Sequence, residues 1–484
     1  MTLKKDIENA LMRGAASLRD TLNVANYKDY VLPIMFFKYI EEASFLKLFE
    51  QRNNKNLGQL INTTLRKIED NNPQQLAGVF SIVDYDSETN FGKSERWNAI
   101  LRELLESFVN LDLRLSQIVV QENQNPADII SDAIVEFICI TGKRDGLIYT
   151  PVAVSEIIAR IVNVRNGEKV YDPVCGSGSL LIRAAKRQDK NRISIYGQET
   201  NGFWVSVAKM NMFIHQINDA HIAWGDTLAN PLFFDTAGNL MLFDVVIANI
   251  PFSMNNWAAG FNTGREVAGK SRKDFKLDAS MDKYHRFAWG VPPASKGDWA
   301  FLLHMIASCS HQGRIAAVVP HGVLFRSGTE KIIRKQVIDE NLLDAVIGLP
   351  ENIFLGTGVS VCILIFKKDR KDKEVVFIDA SKKDDTGKPR YVKGRNQNIL
   401  EEKHIDDIVQ AYQKRKKIAR FVHVAPLKEI IENDYNLNIP NYVDTFEEEK
   451  IINIEEVRQN VKRLKAEIIR TEAKMDVYLK EMGL

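Results

Sequence analysis

The apolar positions of this chain fall into three rhythms. In residues 2–145 they recur at helical spacing. Leu11, Ala15, Leu18 and Leu22 form one stripe, Val31, Met35, Phe36 and Tyr39 a second around Pro33, and Trp97, Ile100, Leu101, Leu104, Leu105 and Phe108 a third. The stripes predict a helical bundle, with the mostly polar interval 51–75 separating helical blocks. From about residue 150, short β-rich runs alternate with helical segments, the pattern of a parallel sheet with crossover helices. Strands are predicted at 169–171, 193–197, 243–248, 313–320, 343–348 and 359–366, and helices at 155–164, 179–187, 203–217, 299–309 and 328–340. Residues 253–296 are rich in Gly, Lys, Asp and Asn and lack long apolar runs. A loop that long is usually functional or disordered, and its place after the motif at 249–252 favours a lid or substrate loop. The third rhythm is a 3-4-3-4 spacing through Ile454, Val457, Val461, Leu464, Ile468, Thr471, Met475, Tyr478 and Met482, the seam of a coiled coil that packs on a helix of another subunit or folds back on its own chain. The expected division is a helical domain over 1–145, an α/β domain over 146–445 and a C-terminal assembly helix over 446–484.

Composition narrows the class. A chain of 484 residues holds more than one domain, and 45% hydrophobic with 26% charged residues is ordinary for a globular protein. No apolar run is long enough to span a membrane, and the first residues lack a signal-peptide core, so a cytoplasmic protein is expected. Cys139, Cys175, Cys309 and Cys362 form no C-x-x-C pair and the histidines no H-x-x-x-H pair, so no metal is expected. A net charge of +2 is modest for a protein that grips DNA alone, which leaves nucleic acid to local basic segments or to a partner. The Lys- and Arg-rich stretch 366–395 reads as a solvated loop between strands or as a phosphate-binding surface.

Four motifs carry chemistry. The predicted strand at 243–248 ends in Asn249-Ile250-Pro251-Phe252. The Asn249 side-chain oxygen and the Ile250 carbonyl make two acceptors for the two protons of a planar amine, and Phe252 offers a stacking face. Such an amine is a poor nucleophile until drawn toward tetrahedral geometry; in DNA its base must also leave the duplex, at a cost of roughly a few kcal/mol. Direct in-line methyl transfer, driven largely by positioning, is the expected reaction. Upstream stands Asp172-Pro173-Val174-Cys175-Gly176-Ser177-Gly178. Its glycines allow a tight turn and close approach of a ligand. The match to G-x-G-x-x-G is incomplete, with Leu181 in the third place, and Asp172 ahead of the turn suits a ligand bearing an ammonium group, such as S-adenosyl-L-methionine. Glu199 closes the next strand in the position of a ribose-binding acid. Asp226, in Gly225-Asp226-Thr227-Leu228, either accepts from a cofactor adenine or caps a helix.

In combination these motifs resemble the amino-group DNA methyltransferases. Over nearly its full length the chain is similar to the modification subunit of type I restriction–modification systems. Tyr30-Val31-Leu32-Pro33, Phe37-Lys38-Tyr39-Ile40, Tyr149-Thr150-Pro151, Asn211-Met212 with His215, 319–325 and Leu349-Pro350 with Ile353-Phe354 carry the likeness further. The resemblance implies a Rossmann-like α/β methyltransferase domain that uses S-adenosyl-L-methionine to methylate adenine N6 in double-stranded DNA. It implies two copies of this subunit around one DNA-specificity subunit, with a restriction subunit joining for cleavage and the C-terminal heptads packing on the specificity subunit. It places Tyr149, Thr150 and Pro151 at the methionine end of the cofactor, Asp172, Gly176, Ser177 and Gly178 along its backbone, Glu199 at the ribose, Asp226 at the adenine and Asn249, Ile250, Pro251 and Phe252 at the target base. The family usually carries Asn-Pro-Pro-Phe or Asn-Pro-Pro-Tyr. Ile250 departs from that pattern but keeps the carbonyl, so activity is expected to survive in a looser pocket. Two other readings are a silent scaffold subunit and a protein glutamine methyltransferase, whose pocket also holds an amide.

Overall fold

The computed structural model describes residues 3–19, 21–91, 95–114, 125–141, 150–186, 192–261, 277–354, 358–384, 386–395, 397–444 and 454–481. The chain up to Val443 forms one compact unit and Asp444–Leu484 a second. No helix among the described residues is long and apolar enough to cross a membrane.

The N-terminal region is helical, with its longer helices at Leu3–Ser17, Tyr27–Ile40, Glu42–Glu50, Leu57–Asn71, Glu95–Val109 and Pro126–Thr141. Their apolar stripes meet in one core that includes Leu11, Phe36, Leu104 and Phe108. The interval 51–75 is not the polar spacer expected. Most of it is the Leu57–Asn71 helix, which buries Leu57, Ile61, Leu65 and Ile68. Four apolar residues at helical spacing supply one buried face, while the polar residues around them lower the average of the segment.

The second half is built on a mixed sheet of nine strands among the described residues: β1 Lys169–Asp172, β2 Ser194–Glu199, β3 Ala220–Trp224, β4 Phe243–Asn249, β5 Cys309–Pro320, β6 Leu343–Gly348, β7 Val361–Lys367, β8 Val375–Asp379 and β9 Val422–Ala425. Their order is β9-β8-β6-β7-β5-β4-β1-β2-β3. Pairing is parallel except for β7, which runs against β5 and β6, and β9, which runs against β8. Apolar cores cover both faces of the sheet. Burial on both faces explains why β4, β6 and β7 read as nearly unbroken apolar runs. Six strands fall where expected. β3, β8 and β9 do not appear in the sequence reading, nor do the helices Glu402–Lys414 and Leu427–Glu432. β8 lies inside the charged stretch 366–395, so that stretch is not simply a loop or a phosphate-binding surface.

The chain passes from β1 outward to β2 and β3, then crosses back to β4 and β5 on the other side. The strand order therefore reverses between β1 and β4, and in open α/β sheets ligands bind at the carboxyl ends of strands at such a point. One helix joins this edge to the bundle. Gly202–Ile214 turns Val207, Met210 and Ile214 into the helical core and Ala208 and Met212 into the core under the sheet.

In the second unit, Ile454–Glu481 is one continuous helix. Val457, Val461, Leu464, Ile468, Met475 and Tyr478 of the expected seam are exposed along it. Met482 lies outside the described residues.

The Leu57–Asn71 helix belongs to the helical core, so Ile61→Ala should cost about 2–5 kcal/mol in a urea melt, whereas the exposed Gln59→Ala should stay within about 0.5 kcal/mol. Equal, small effects would mean that the segment is only a spacer.

Candidate active site

Three of the proposed polar residues are the last residues of their strands: Asp172 of β1, Glu199 of β2 and Asn249 of β4. Asp226 follows two residues after β3. The register aligns the strands, with Asp172 opposite Gly197, Glu199 opposite Trp224, and Val170 and Tyr171 opposite Val245 and Val246. All four residues thus meet at the carboxyl edge beside the switch point.

The turn after β1 needs its glycines. Gly176 and Gly178 have φ of +50° and +76°. A Cβ at Gly178 would lie 2.9 Å from Met212 Cε, whereas one at Gly176 would meet nothing within 4 Å. Gly176 therefore turns its backbone to open space while Gly178 packs on the Gly202–Ile214 helix. That helix also holds the turn from behind. Asn211 Nδ2 donates to the Ser177 carbonyl (2.9 Å), Ser131 Oγ donates to Asn211 Oδ1 (3.1 Å), and His215 bridges the Asn211 carbonyl and Asp128 (2.9 Å each). Ser177 is thus placed by residues of the helical bundle.

Two carboxylates line this turn. Asp172 is buried and accepts from the Val174 N–H at 2.9 Å. Burial, opposed in part by that hydrogen bond and reinforced by the charge of Glu199, pushes its pKa up to about 8. Glu199 accepts from the Gly176 N–H (3.0 Å) and the Asn201 N–H (2.8 Å), and burial raises its pKa as well. Among the described residues, neither carboxylate is paired with a basic side chain. Asp226 caps a turn rather than a helix: its Oδ1 accepts from the N–H groups of Leu228 (2.9 Å) and Ala229 (3.1 Å).

The motif after β4 places a second group of candidate residues at the same edge. Asn249 Nδ2 donates to Thr150 Oγ1 at 3.0 Å. Its Oδ1 is buried and has no hydrogen-bond partner among the described residues. A buried acceptor left unpaired costs about 1–3 kcal/mol. Ile250 is buried and packs in the core with Val246, Ala248 and Trp299, so the side chain that departs from the usual proline sits in the protein interior. Pro251 is exposed. Phe252 is half-buried, its ring edge-to-face with Phe354 at 5.8 Å. Of the three residues expected before the first helix of the α/β domain, Thr150 reaches Asn249, Pro151 stands at the N-cap of Val152–Val162, and Tyr149 lies outside the described residues.

The sequence reading missed the residues that brace these loops. The Ser253 N–H, with φ at +51°, donates to Asp298 Oδ1 (2.7 Å). Arg326 donates to Asp298 Oδ2 (2.6 Å), Ser253 Oγ (3.3 Å) and Glu330 (3.2 Å). Gln198 is buried and ties the 230–232 loop to β2 through the Asn230 carbonyl and the Leu232 N–H. Asp298, opening an apolar helix, was the one detectable signal among them. In the segment 253–296, Trp257 and Phe287 are buried in the core, and the lid expected there falls partly on 262–276, outside the described residues.

The model of the N-6 DNA methylase family matches residues 127–451. The chain belongs to that family. It is 28% identical to the type I restriction enzyme MpnII methylase subunit of Mycoplasma pneumoniae, over 97% of this chain and 95% of that one. It is 29% identical to the type I restriction enzyme MjaVIII methylase subunit of Methanocaldococcus jannaschii, over 87% and 69%. The crystal structure of the type I restriction-modification system methyltransferase subunit from Streptococcus thermophilus superposes with a TM-score of 0.76 at 29% identity, covering 92% of this chain and 100% of that one. S-adenosylmethionine is the cofactor that this N-6 methylase family and fold imply. The residues present fit it, since a buried and a half-buried carboxylate beside a glycine turn suit a ligand with positive charge at its ammonium and sulfonium centres.

Two measurements test this geometry. The carboxyl of Asp172 ionises near pH 3.9 when unfolded but near 8 when folded. The ligand-free protein therefore loses stability at this residue as pH rises from 4 to 8. Asp172→Asn removes that loss, so its gain in melting temperature over the wild type should be larger at pH 8 than at pH 5; an equal gain at both would contradict the buried carboxylate. Gly178→Ala forces a side chain into the left-handed region and against Met212, and should cost on the order of 1–3 kcal/mol in thermal melts.

Proposed function

We propose that this N-6 DNA methylase is the methyl-transferring subunit of a type I restriction–modification complex, acting on the N6 amine of an adenine turned out of duplex DNA. The observation that carries the reading is the buried, unpaired Asn249 Oδ1. With Nδ2 held by Thr150, the amide presents its oxygen as a fixed acceptor. That oxygen and the Ile250 carbonyl would take the two protons of the adenine amine while Phe252, braced by Phe354, stacks on the ring. Drawing both protons into hydrogen bonds frees the nitrogen lone pair from the ring. The product nitrogen sheds its extra proton readily, so a general base is not required beforehand.

When bound, S-adenosylmethionine supplies an electrophilic methyl group. Tyr149, Thr150 and Pro151 would flank its methionine end. Asp172 with the Gly176-Ser177-Gly178 turn would hold the amino-acid moiety, Glu199 the ribose and Asp226 the adenine. The two sites lie on neighbouring strands, since β1 pairs directly with β4. With strands about 4.8 Å apart, the residues that would hold the cofactor and those that would hold the base stand side by side.

The family and its type I relatives support DNA as substrate and further subunits as partners. A separate specificity subunit would choose the sequence, two copies of this chain would flank it, and a restriction subunit would join. The exposed apolar seam of Ile454–Glu481 supports an assembly role for 446–484. The helical core, drawn mostly from 1–145 but sharing Val207, Met210 and Ile214, supports reading 1–145 as a helical domain packed closely on the catalytic 146–445. Ile250 is compatible with activity because its side chain is absorbed by the core and Ile250–Pro251 is a trans peptide.

Mass spectrometry of DNA from cells producing all subunits tests the reading. The wild type should yield N6-methyladenine, and Asn249→Ala should lower it on the order of 100-fold or more while calorimetry shows S-adenosylmethionine still bound. Ile250→Pro should remain active. Methylation that persists in Asn249→Ala, or that appears only in Ile250→Pro, would overturn the reading.

A further inference from the structure

Beneath the turn that carries Asp226 lies a buried ion pair with no part in the roles above. The side chains of Asp282 and Arg286 are each only 1% exposed. Arg286 Nη2 and Nε donate to Asp282 Oδ1 at 2.8 and 3.1 Å. The same guanidinium donates to the Leu228 carbonyl (2.7 Å) and the Thr227 carbonyl (3.3 Å), the two residues that follow Asp226. It also meets His304 Nδ1 at 3.1 Å. A guanidinium only donates, so Nδ1 is an acceptor and the ring proton sits on Nε2. Burial and the neighbouring Arg286 charge hold His304 neutral, its pKa far below the usual range. His304 Nε2 then donates to the Tyr171 hydroxyl at 3.1 Å, and Tyr171 precedes Asp172 on β1.

The segment after the base motif closes on this turn from a second side. A Cβ at Gly260 would lie 2.9 Å from Asp226 Oδ2 and 2.5 Å from Ala229 Cβ, so only a bare backbone fits there. The ring of the adjacent Phe261 lies 5.6 Å from the Arg286 guanidinium. Asp226 Oδ1 is occupied by two N–H groups of its own turn. The orientation left to Oδ2 therefore depends on where the Thr227 and Leu228 backbone is held.

We propose that Arg286 is a positioning residue for cofactor recognition: by clamping the Thr227 and Leu228 carbonyls it aims Asp226 at the amine of the cofactor's purine. The inference rests on the reading of Asp226 as the adenine partner. It means that the segment following the target-base motif also builds the wall that selects adenine over other purines in the cofactor.

The test is a ratio of affinities on the full chain. Calorimetry compares S-adenosylmethionine with its hypoxanthine analogue, which carries a carbonyl in place of the adenine amine. The wild type should prefer the adenine form by about ten-fold or more, the worth of a hydrogen bond to a carboxylate. Arg286→Lys, which keeps the charge but loses the fork, should bring the ratio toward one. Phe261→Leu removes the ring against the guanidinium, along with its edge contacts to Trp257 and Phe287, and should lower the ratio in part; it carries the test if Arg286→Lys does not fold. A merely structural role weakens both ligands equally and leaves the ratio at the wild-type value. That result, with Asp226→Asn abolishing the preference, would overturn the role of Arg286 while leaving Asp226 in place. A preference that survives Asp226→Asn would remove the adenine reading of Asp226 and the proposal with it.

Discussion

Two carboxylates, the buried Asp172 and the half-buried Glu199, stand at the ends of adjacent strands, and among the described residues neither is paired with a basic side chain. Like charges in a poorly polarisable interior disfavour ionisation of both. Three backbone N–H groups, from Val174, Gly176 and Asn201, offset part of that cost. The arrangement is left open to a ligand that brings positive charge. The left-handed glycines, the bare Gly176 backbone and the brace from Asn211 all serve to hold this acidic turn in a shape it would not keep alone.

The sheet sets that turn beside the motif that follows β4. β1 and β4 are hydrogen-bonded neighbours, so the acidic turn and Asn249 keep a fixed separation whatever the loops around them do. The Gly202–Ile214 helix adds a second constraint. One of its faces packs in the helical bundle and the other supports the glycine turn. A change in the bundle core can therefore reach the glycine turn through this helix. The loop after Asn249 is held in a similar way by Asp298 and Arg326, which hold Ser253 in its left-handed conformation.

Residues whose burial imposes a simple pattern were legible in the sequence. Apolar cores cover both faces of β4, so 245–248 had to be apolar, with only Asp244 polar near the start of the strand, and the motif at its end could be placed to the residue. The glycine turn was legible because Gly176 and Gly178 adopt backbone angles that other residues avoid. β3 was not legible: it is short, lies at the sheet edge and carries His221 with an exposed Trp224. The Leu57–Asn71 helix escaped because one narrow apolar face is diluted by polar neighbours. Arg286, Asp282 and Gln198 left no trace, since a buried charged or amide residue looks in sequence like a solvated one. Their partners are backbone carbonyls and N–H groups brought close only by the fold.

Amide hydrogen exchange on the full chain, with and without S-adenosylmethionine, tests most directly whether the carboxyl edge is the cofactor site. Binding there should slow exchange at 174–179, 199–202 and 226–229, with little change in Glu42–Glu50 or Ile454–Glu481. Protection confined to the N-terminal helices or to the C-terminal helix, with the three turns unchanged, would contradict it.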